Sequence, residues 1–153
     1  MSPTRPEPGS ARPHGRLLAG EAGALAGVSG TTIGQWARWG YIGSSQSSDD
    51  PRVYSVEDVA EAAIVAELLA RGVAHGGILS AIARLTDYGR WPLSEARLAT
   101  TGGQGRARIA LFEDGQWLVL GPRGWQSVAN PEAPQASLAL DEVRLKLARE
   151  AAD

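Results

Sequence analysis

The chain has 153 residues, with 15 basic and 17 acidic side chains that give a formal net charge of −2. This length suits one small domain, or a small domain with an appendage. The absence of cysteine excludes a disulfide framework, a thiolate zinc site and a cysteine nucleophile, and the 2 histidines are too few for a histidine-rich metal centre. No apolar run is long enough to span a membrane, and the N-terminus lacks the pattern of a secretory signal. We therefore expect a cytoplasmic protein without a metal or a cofactor.

The chain begins with a segment that has too few apolar side chains to take part in a core. Residues 1–15 are rich in proline and contain almost nothing apolar, so they predict a disordered tail. Leu18, Ala22 and Leu25 then follow at the spacing of one face of a short helix. The glycine-bearing segment 27–30 should end this helix.

A second short helix is predicted directly afterwards. Ser29 is a good N-cap for a helix over residues 29–39, which Gly40 would end. Two short helices joined by a glycine-bearing turn predict a helix-turn-helix. Trp36 is predicted to lie in the core beneath it, whereas Trp39 either packs or lies on a surface that faces DNA or a partner.

A β-hairpin and a third helix are predicted next. Two short pieces with extended character, residues 41–42 and 51–54, flank a polar loop over 43–50, which is typical of a hairpin, here a wing. Ser55 followed by Asp58 resembles a capping box and begins the third helix. Its inward residues are predicted to be Val56, Val59, Ala63, Ile64 and Leu68.

Three further helices are predicted along the chain. One covers residues 76–88, a short one covers 93–99, and a terminal one covers 138–152 after a proline-bearing linker over 130–135. The apolar stripes of the first and the last of these are Ile78, Ile82 and Leu85, and Leu140, Val143 and Leu147.

Between the last two helices the pattern predicts a small β-meander. Residues 108–112 and 116–120 read as strands joined at Asp114-Gly115, a hairpin signal, and residues 125–128 read as a third strand. The aromatic residues of this region either build the core of the meander or line a ligand pocket or a protein interface; they are Trp91, Phe112, Trp117 and Trp125.

Three motifs in the N-terminal half resemble the MerR-type regulators. The run from Leu18 to Ser29, LAGEAGALAGVS, is similar to that family's first helix and its "LAGVS" turn. The run from Thr32 to Ile42, TIGQWARWGYI, resembles its second helix, usually "TLRYYERIGLL". RVYSVEDV, from Arg52 to Val59, resembles the junction "R-x-Y-S-x-x-D-L". The order and spacing of the motifs also agree, and the resemblance covers about residues 16–88.

The chain also departs from that family. Thr31 and Gly34 occupy positions where the second helix usually carries arginine, so a phosphate contact is missing, and a glycine inside a helix costs about 1 kcal/mol relative to alanine. The long C-terminal coiled-coil helix and the metal-sensing cysteines are absent. The region 89–153 resembles the short β-containing tails of MerR-like regulators and antitoxin-like proteins.

The resemblance implies a winged helix-turn-helix over residues 16–88. With the meander and the terminal helix that the pattern predicts, the expected fold class is α+β. The second helix would enter the major groove of double-stranded DNA. Thr31, Thr32 and Gln35 would face base edges, and Arg38, Arg52 and Tyr54 would contact phosphates. The predicted DNA-binding residues are Arg16, Ser29, Thr31, Thr32, Gln35, Arg38, Arg52 and Tyr54. Tyr54 has an alternative role as a cover for the third helix.

Three functions follow from these patterns. The first is a sequence-specific transcription regulator that acts as a homodimer on a partly palindromic operator, with the C-terminal region 89–153 as the dimerisation element. The alternative is an antitoxin-like or adaptor protein whose C-terminal region binds a protein partner while the winged helix autoregulates its operon. An enzyme is the weakest reading, because the sequence offers neither a nucleophile–base pair nor a cofactor fingerprint.

Overall fold

The computed structural model of the chain describes residues 17–43, 52–102 and 107–127. Within these ranges the helices are α1 (Ala19–Ala26), α2 (Gly30–Trp39), α3 (Val56–Ala70), α4 (His75–Ala83) and α5 (Pro92–Glu95), with a 3-10 turn at Thr86–Tyr88. The strands are β1 (Arg97–Thr101), β2 (Arg108–Glu113), β3 (Gln116–Gly121) and β4 (Gly124–Ser127). No helix in the described ranges is long and apolar enough to cross a membrane.

The predicted helix-turn-helix is present, because α1 and α2 are packed against each other across a tight turn. Glycine makes this close approach possible. A Cβ atom on Gly23 would lie 2.5 Å from the carbonyl oxygen of Val28, and one on Gly30 would lie 3.1 Å from the Cα of Gly20. The ends of α2 are as predicted: the Ser29 side chain accepts a hydrogen bond from the backbone N–H of Thr32, and Gly40 follows the helix in the left-handed conformation.

The third helix forms the centre of the core. The predicted capping box is confirmed, since the Asp58 N–H donates to Ser55 Oγ at 3.0 Å and the Ser55 N–H donates to Asp58 Oδ2 at 2.9 Å. The helix is buried over most of its circumference. One apolar cluster joins Ile33 and Trp36 of α2 to Ile64 of α3 and to Leu111 of β2, so the helix-turn-helix and the sheet share a core.

The sheet has the order β1-β2-β3-β4 and is antiparallel throughout. The predicted turn between β2 and β3 is confirmed: Asp114 and Gly115 both have positive φ, 52° and 79°, as a hairpin turn of the primed type requires. One face of the sheet contributes to the main core through Leu98, Ile109, Leu111 and Leu120.

Two of the predicted helices are wrong in extent or in type. The fourth helix ends at Ala83, and the chain continues through the 3-10 turn Thr86–Tyr88. The short helix predicted over 93–99 is confined to Pro92–Glu95, and the strand Arg97–Thr101 follows it. That strand makes the meander four-stranded, because β1 pairs with β2 from Arg97↔Phe112 to Thr101↔Arg108.

The two arms of the predicted wing do not pair with each other in the described residues. Tyr41 and Ile42 are buried in a bend instead of forming a strand. Tyr54 pairs with Leu17, with backbone N–H···O distances of 2.8 and 3.1 Å, so this arm is tied to the segment just before α1. Most of the predicted wing loop, the tail 1–15, the linker 130–135 and the terminal helix 138–152 lie outside the described residues.

Candidate nucleic-acid interface

The outward face of α2 carries three polar side chains. Thr31 and Arg38 are exposed and Gln35 is half-buried, and their spacing of four and three residues places them on one side of the helix. Ile33 and Trp36 are buried on the opposite side. The prediction that Trp36 is a core residue is therefore confirmed, and α2 is held from behind while its polar face stays open.

Two of the predicted contact residues at the start of α2 also serve the helix itself. Ser29 Oγ accepts a hydrogen bond from the Thr32 N–H at 3.0 Å and donates one to Thr32 Oγ1 at 3.0 Å. Ser29 is exposed and Thr32 is half-buried. Both hydroxyl groups are thus held in place by the N-cap. The Thr32 hydroxyl can still donate a hydrogen bond to a ligand, and each of the two oxygens can still accept one.

The guanidinium group of Arg38 lies close to Gly34. A Cβ atom on Gly34 would lie 3.7 Å from Arg38 Nη1, which is ordinary van der Waals contact. The Arg38 side chain therefore lies back along α2 towards position 34, where the MerR-type pattern usually has arginine. A cation thus lies beside this position although the residue itself is glycine.

Alanine at position 34 is expected to stabilise the protein. The Gly34→Ala variant meets no atom closer than 3.7 Å, and alanine is favoured over glycine inside a helix by about 0.5–1 kcal/mol. Urea unfolding should show this increase in the free energy of unfolding. A lower free energy would mean that α2 needs the flexibility of glycine.

The described residues of the second arm of the predicted wing, 51–54, lie in different environments. Arg52 is half-buried, and its guanidinium has no salt bridge or hydrogen bond to another described residue. Tyr54 is only 1% exposed and belongs to the main core. Its side chain therefore presents almost no surface to a phosphate in this conformation, which fits the alternative role as a core cover. The contact of Tyr54 with a phosphate stays a prediction. Arg16 lies outside the described residues.

An aromatic group at the C-terminal end of α2 was not predicted as a unit. Trp39 is 50% exposed, and its ring centroid lies 5.6 Å from that of Tyr41 and 6.0 Å from that of His75. The Tyr41 hydroxyl and His75 Nδ1 are 2.5 Å apart, and burial raises the pKa of Tyr41. These contacts join the end of α2 to the start of α4. The sequence gives no local signal for them, since His75 is distant along the chain.

Two buried carboxylates on α3 hold the connection to the sheet. Glu61 accepts hydrogen bonds from the backbone N–H groups of Leu93 at 3.0 Å and Ser94 at 2.5 Å, and so caps the first turn of α5. Asp58 Oδ1 accepts a hydrogen bond from Trp91 Nε1 at 3.0 Å. Burial raises the pKa of Glu61 to about 7, against the opposing effect of its hydrogen bonds. The α3 helix is thereby joined to the segment that leads into β1.

The tryptophans and the phenylalanine of the C-terminal region serve different surfaces. Trp125 packs against the main core, and Trp91 is tied to Asp58. Phe112 and Trp117 lie 5.1 Å apart, with Trp117 against a second, smaller cluster on the sheet. Of the interpretations left open, the one in which these residues build the core of the meander is therefore only partly correct.

Comparison with known proteins identifies the helical half. Residues 19–87, just under half of the chain, match the family described as MerR HTH family regulatory protein. The matched segment runs from the start of α1 into the 3-10 turn after α4. No curated protein and no solved structure matches the chain. Residues 19–87 are thus similar to the MerR-type helix-turn-helix regulators, and the packed pair α1 and α2 lies inside the match.

Proposed function

We propose that the protein is a sequence-specific transcription regulator that binds double-stranded DNA through α2. The observation that carries this proposal is the outward face of that helix, where Thr31, Gln35 and Arg38 lie together on a helix buried from behind by Ile33 and Trp36. A helix held in this way presents its polar face to the major groove in the helix-turn-helix proteins.

Each polar residue of this surface has a chemical role. Gln35 can pair bidentately with adenine, and Thr31 offers a hydroxyl to a base or a phosphate and a methyl to thymine. Arg38 and Arg52 are the phosphate-binding cations, because arginine forms forked, charge-assisted hydrogen bonds with phosphate oxygens. Ser29 and Thr32 orient the first turn of α2 and contribute to DNA binding through the hydrogen bonds that their hydroxyl groups can still form. Tyr54 is not part of the proposed contact.

A homodimer is part of the same proposal. One short helix-turn-helix makes few contacts with DNA, and a two-fold protein matches a two-fold operator. We place this regulator in the cytoplasm, where it would have access to its operator. The antitoxin-like alternative called for a C-terminal region that orders only on its partner. The sheet β1 to β4 is packed against the helical core in the free chain, which counts against that alternative.

Removal of the Arg52 guanidinium should weaken binding to every DNA sequence alike. The Arg52→Ala variant loses a phosphate contact, so the slope of log K against log salt is expected to fall by about one unit. The measurement is a mobility-shift titration at several salt concentrations. Arg123→Ala, which removes an exposed arginine from the turn between β3 and β4, is the matched control. An unchanged slope in Arg52→Ala would exclude Arg52 from the interface.

Removal of the Gln35 amide should instead relax sequence preference. A bidentate base contact contributes about 1 to 3 kcal/mol of discrimination, so the Gln35→Ala variant should lose preference at one base position while its binding to random DNA stays nearly the same. Selection of bound sequences from a random pool by the wild type and the variant measures this. Equal losses on selected and random DNA would show that Gln35 does not read a base.

A further inference from the structure

The sheet has a second face, turned away from the main core, that we call the outer face. Its central row is Ala99, Ala110 and Val119, which lie opposite one another across β1, β2 and β3. A parallel row beside it holds Arg97, Phe112 and Trp117, in which the Arg97 guanidinium lies 4.8 Å from the Phe112 ring centroid.

The central row is buried although no described helix covers it. Ala99 and Ala110 are 0% exposed and Val119 is 8% exposed. In the part of the chain that the structure describes, the cluster that these residues form contains strand residues only, with Trp117 packed at its edge. Phe112 and Trp117 can shield one side of the row. The burial of the whole row therefore calls for a further element above the sheet.

We propose that this element is the C-terminal segment of the same chain, residues 137–152, docked on the outer face as a helix. The segment has the sequence SLALDEVRLKLAREAA. Leu140, Val143 and Leu147 fall at the spacing of one helix face, and Ser137 stands at the N-cap position. Leu138 and Leu145 lie on the other side of this helix. A helix of this length gains most of its stability when an apolar stripe is covered.

The length of the chain beyond the sheet fits this placement. The last described strand ends at Ser127 on an edge of the sheet. Residues 128–136 can span up to about 30 Å when extended, whereas the four strands are only about 14 Å wide from edge to edge. A helix over 137–152 is about 24 Å long, and a strand of this sheet is about 17–20 Å long. The connection therefore reaches any part of the outer face.

The shape of the outer face also suits a helix. Ala99 and Ala110 lack long side chains, so a helix can approach the sheet closely over them, while Phe112 and Trp117 form a wall along one side. The leucine and valine stripe of the helix supplies the volume that the alanines lack. The sheet is then enclosed between the helical core and the terminal helix, and the stripe is not available as a coiled-coil seam between subunits.

Cysteine cross-linking in the full-length protein tests this arrangement. The chain has no natural cysteine, so a pair of introduced thiols reports one distance. Val119→Cys is combined in turn with Leu140→Cys, Val143→Cys or Leu147→Cys on the stripe. The control pairs combine it with Glu142→Cys or Arg149→Cys on the opposite side of the predicted helix. A disulfide requires Cα atoms about 4.4–6.8 Å apart.

We expect at least one stripe pair to form an intrachain disulfide at low protein concentration, seen as a shift to faster mobility without reductant, while both control pairs stay reduced. Disulfides between chains at the stripe positions would mean that the helix of a second copy covers the sheet, and would overturn the proposal. It would also be overturned if no stripe pair linked while the single Val119→Cys thiol stayed protected from a thiol reagent, since another element would then cover it. Linking of stripe and control pairs alike would overturn the proposed helix face.

Discussion

Valine at position 23 is expected to destabilise the protein by about 3 kcal/mol, at the upper end of the range for overpacked sites. Any Cβ atom on Gly23 meets backbone atoms at close range: the Val28 oxygen at 2.5 Å and the Ser29 carbonyl carbon at 2.9 Å. A flexible side chain could move aside, but these atoms belong to the turn that positions the N-cap of α2. The turn must therefore shift, and α2 must shift with it.

The matched control lies on the same helix. Gly20→Val adds the same side chain to α1, but a Cβ atom at Gly20 has no heavy atom within 4 Å, so only the small helix-propensity difference should remain. Urea unfolding of both variants measures the contrast. DNA affinity, measured under conditions where each variant is fully folded, should fall in Gly23→Val alone. Equal unfolding free energies for the two variants would contradict the close packing of α1 against the turn.

The features that were predicted correctly are those with local causes. Ser29 caps α2 through a residue three positions away, and Ser55 and Asp58 cap α3 in the same way. The turn at Asp114-Gly115 is likewise determined by two adjacent residues that accept positive φ. Such signals are complete within a few residues, so they can be read from one sequence.

The features that were missed depend on partners far along the chain. The strand Arg97–Thr101 has the sequence RLATT, and its small residues become a strand only because β2 lies beside it. Tyr54 occupies the motif position of a phosphate contact, yet its ring is enclosed by the core that Leu17 and α3 help to form. Glu61 has the sequence context of an ordinary surface glutamate on a helix, because the N–H groups that it binds belong to residues 93 and 94.

Glu61 should make the stability of the protein depend on pH near neutrality. Burial raises its pKa from 4.5 to about 7, which means that the folded state favours the protonated carboxyl group. The contribution of Glu61 to the free energy of unfolding is then fully present below pH 4.5 and is lost as the pH rises through about 7. Since one pKa unit corresponds to about 1.4 kcal/mol, the loss is on the order of 3 kcal/mol.

Substitution of Glu61 by glutamine should remove this pH dependence. The glutamine side chain has one oxygen, which can accept a hydrogen bond from the N–H group of either Leu93 or Ser94. Its NH₂ group then faces the second N–H group, which loses its acceptor. Glu61→Gln should therefore be less stable than the wild type in acid. Above neutrality the wild type carries a buried charge and the variant does not. The difference between their free energies of unfolding should therefore become smaller. Urea unfolding at intervals from about pH 5 to about pH 8 measures both profiles.

The control for this experiment is Glu95→Gln, which removes an exposed carboxylate from α5, the helix that Glu61 caps. It should leave the wild-type slope intact, because the Glu61 carboxyl group and its hydrogen bonds to Leu93 and Ser94 are unchanged in this variant. If Glu61→Gln and the wild type lost stability in parallel between about pH 5 and about pH 8, the slope would come from another group. The Glu61 carboxylate would then hold α5 in its ionised form at every pH in that interval, and its hydrogen bonds to the two backbone N–H groups would outweigh the effect of burial.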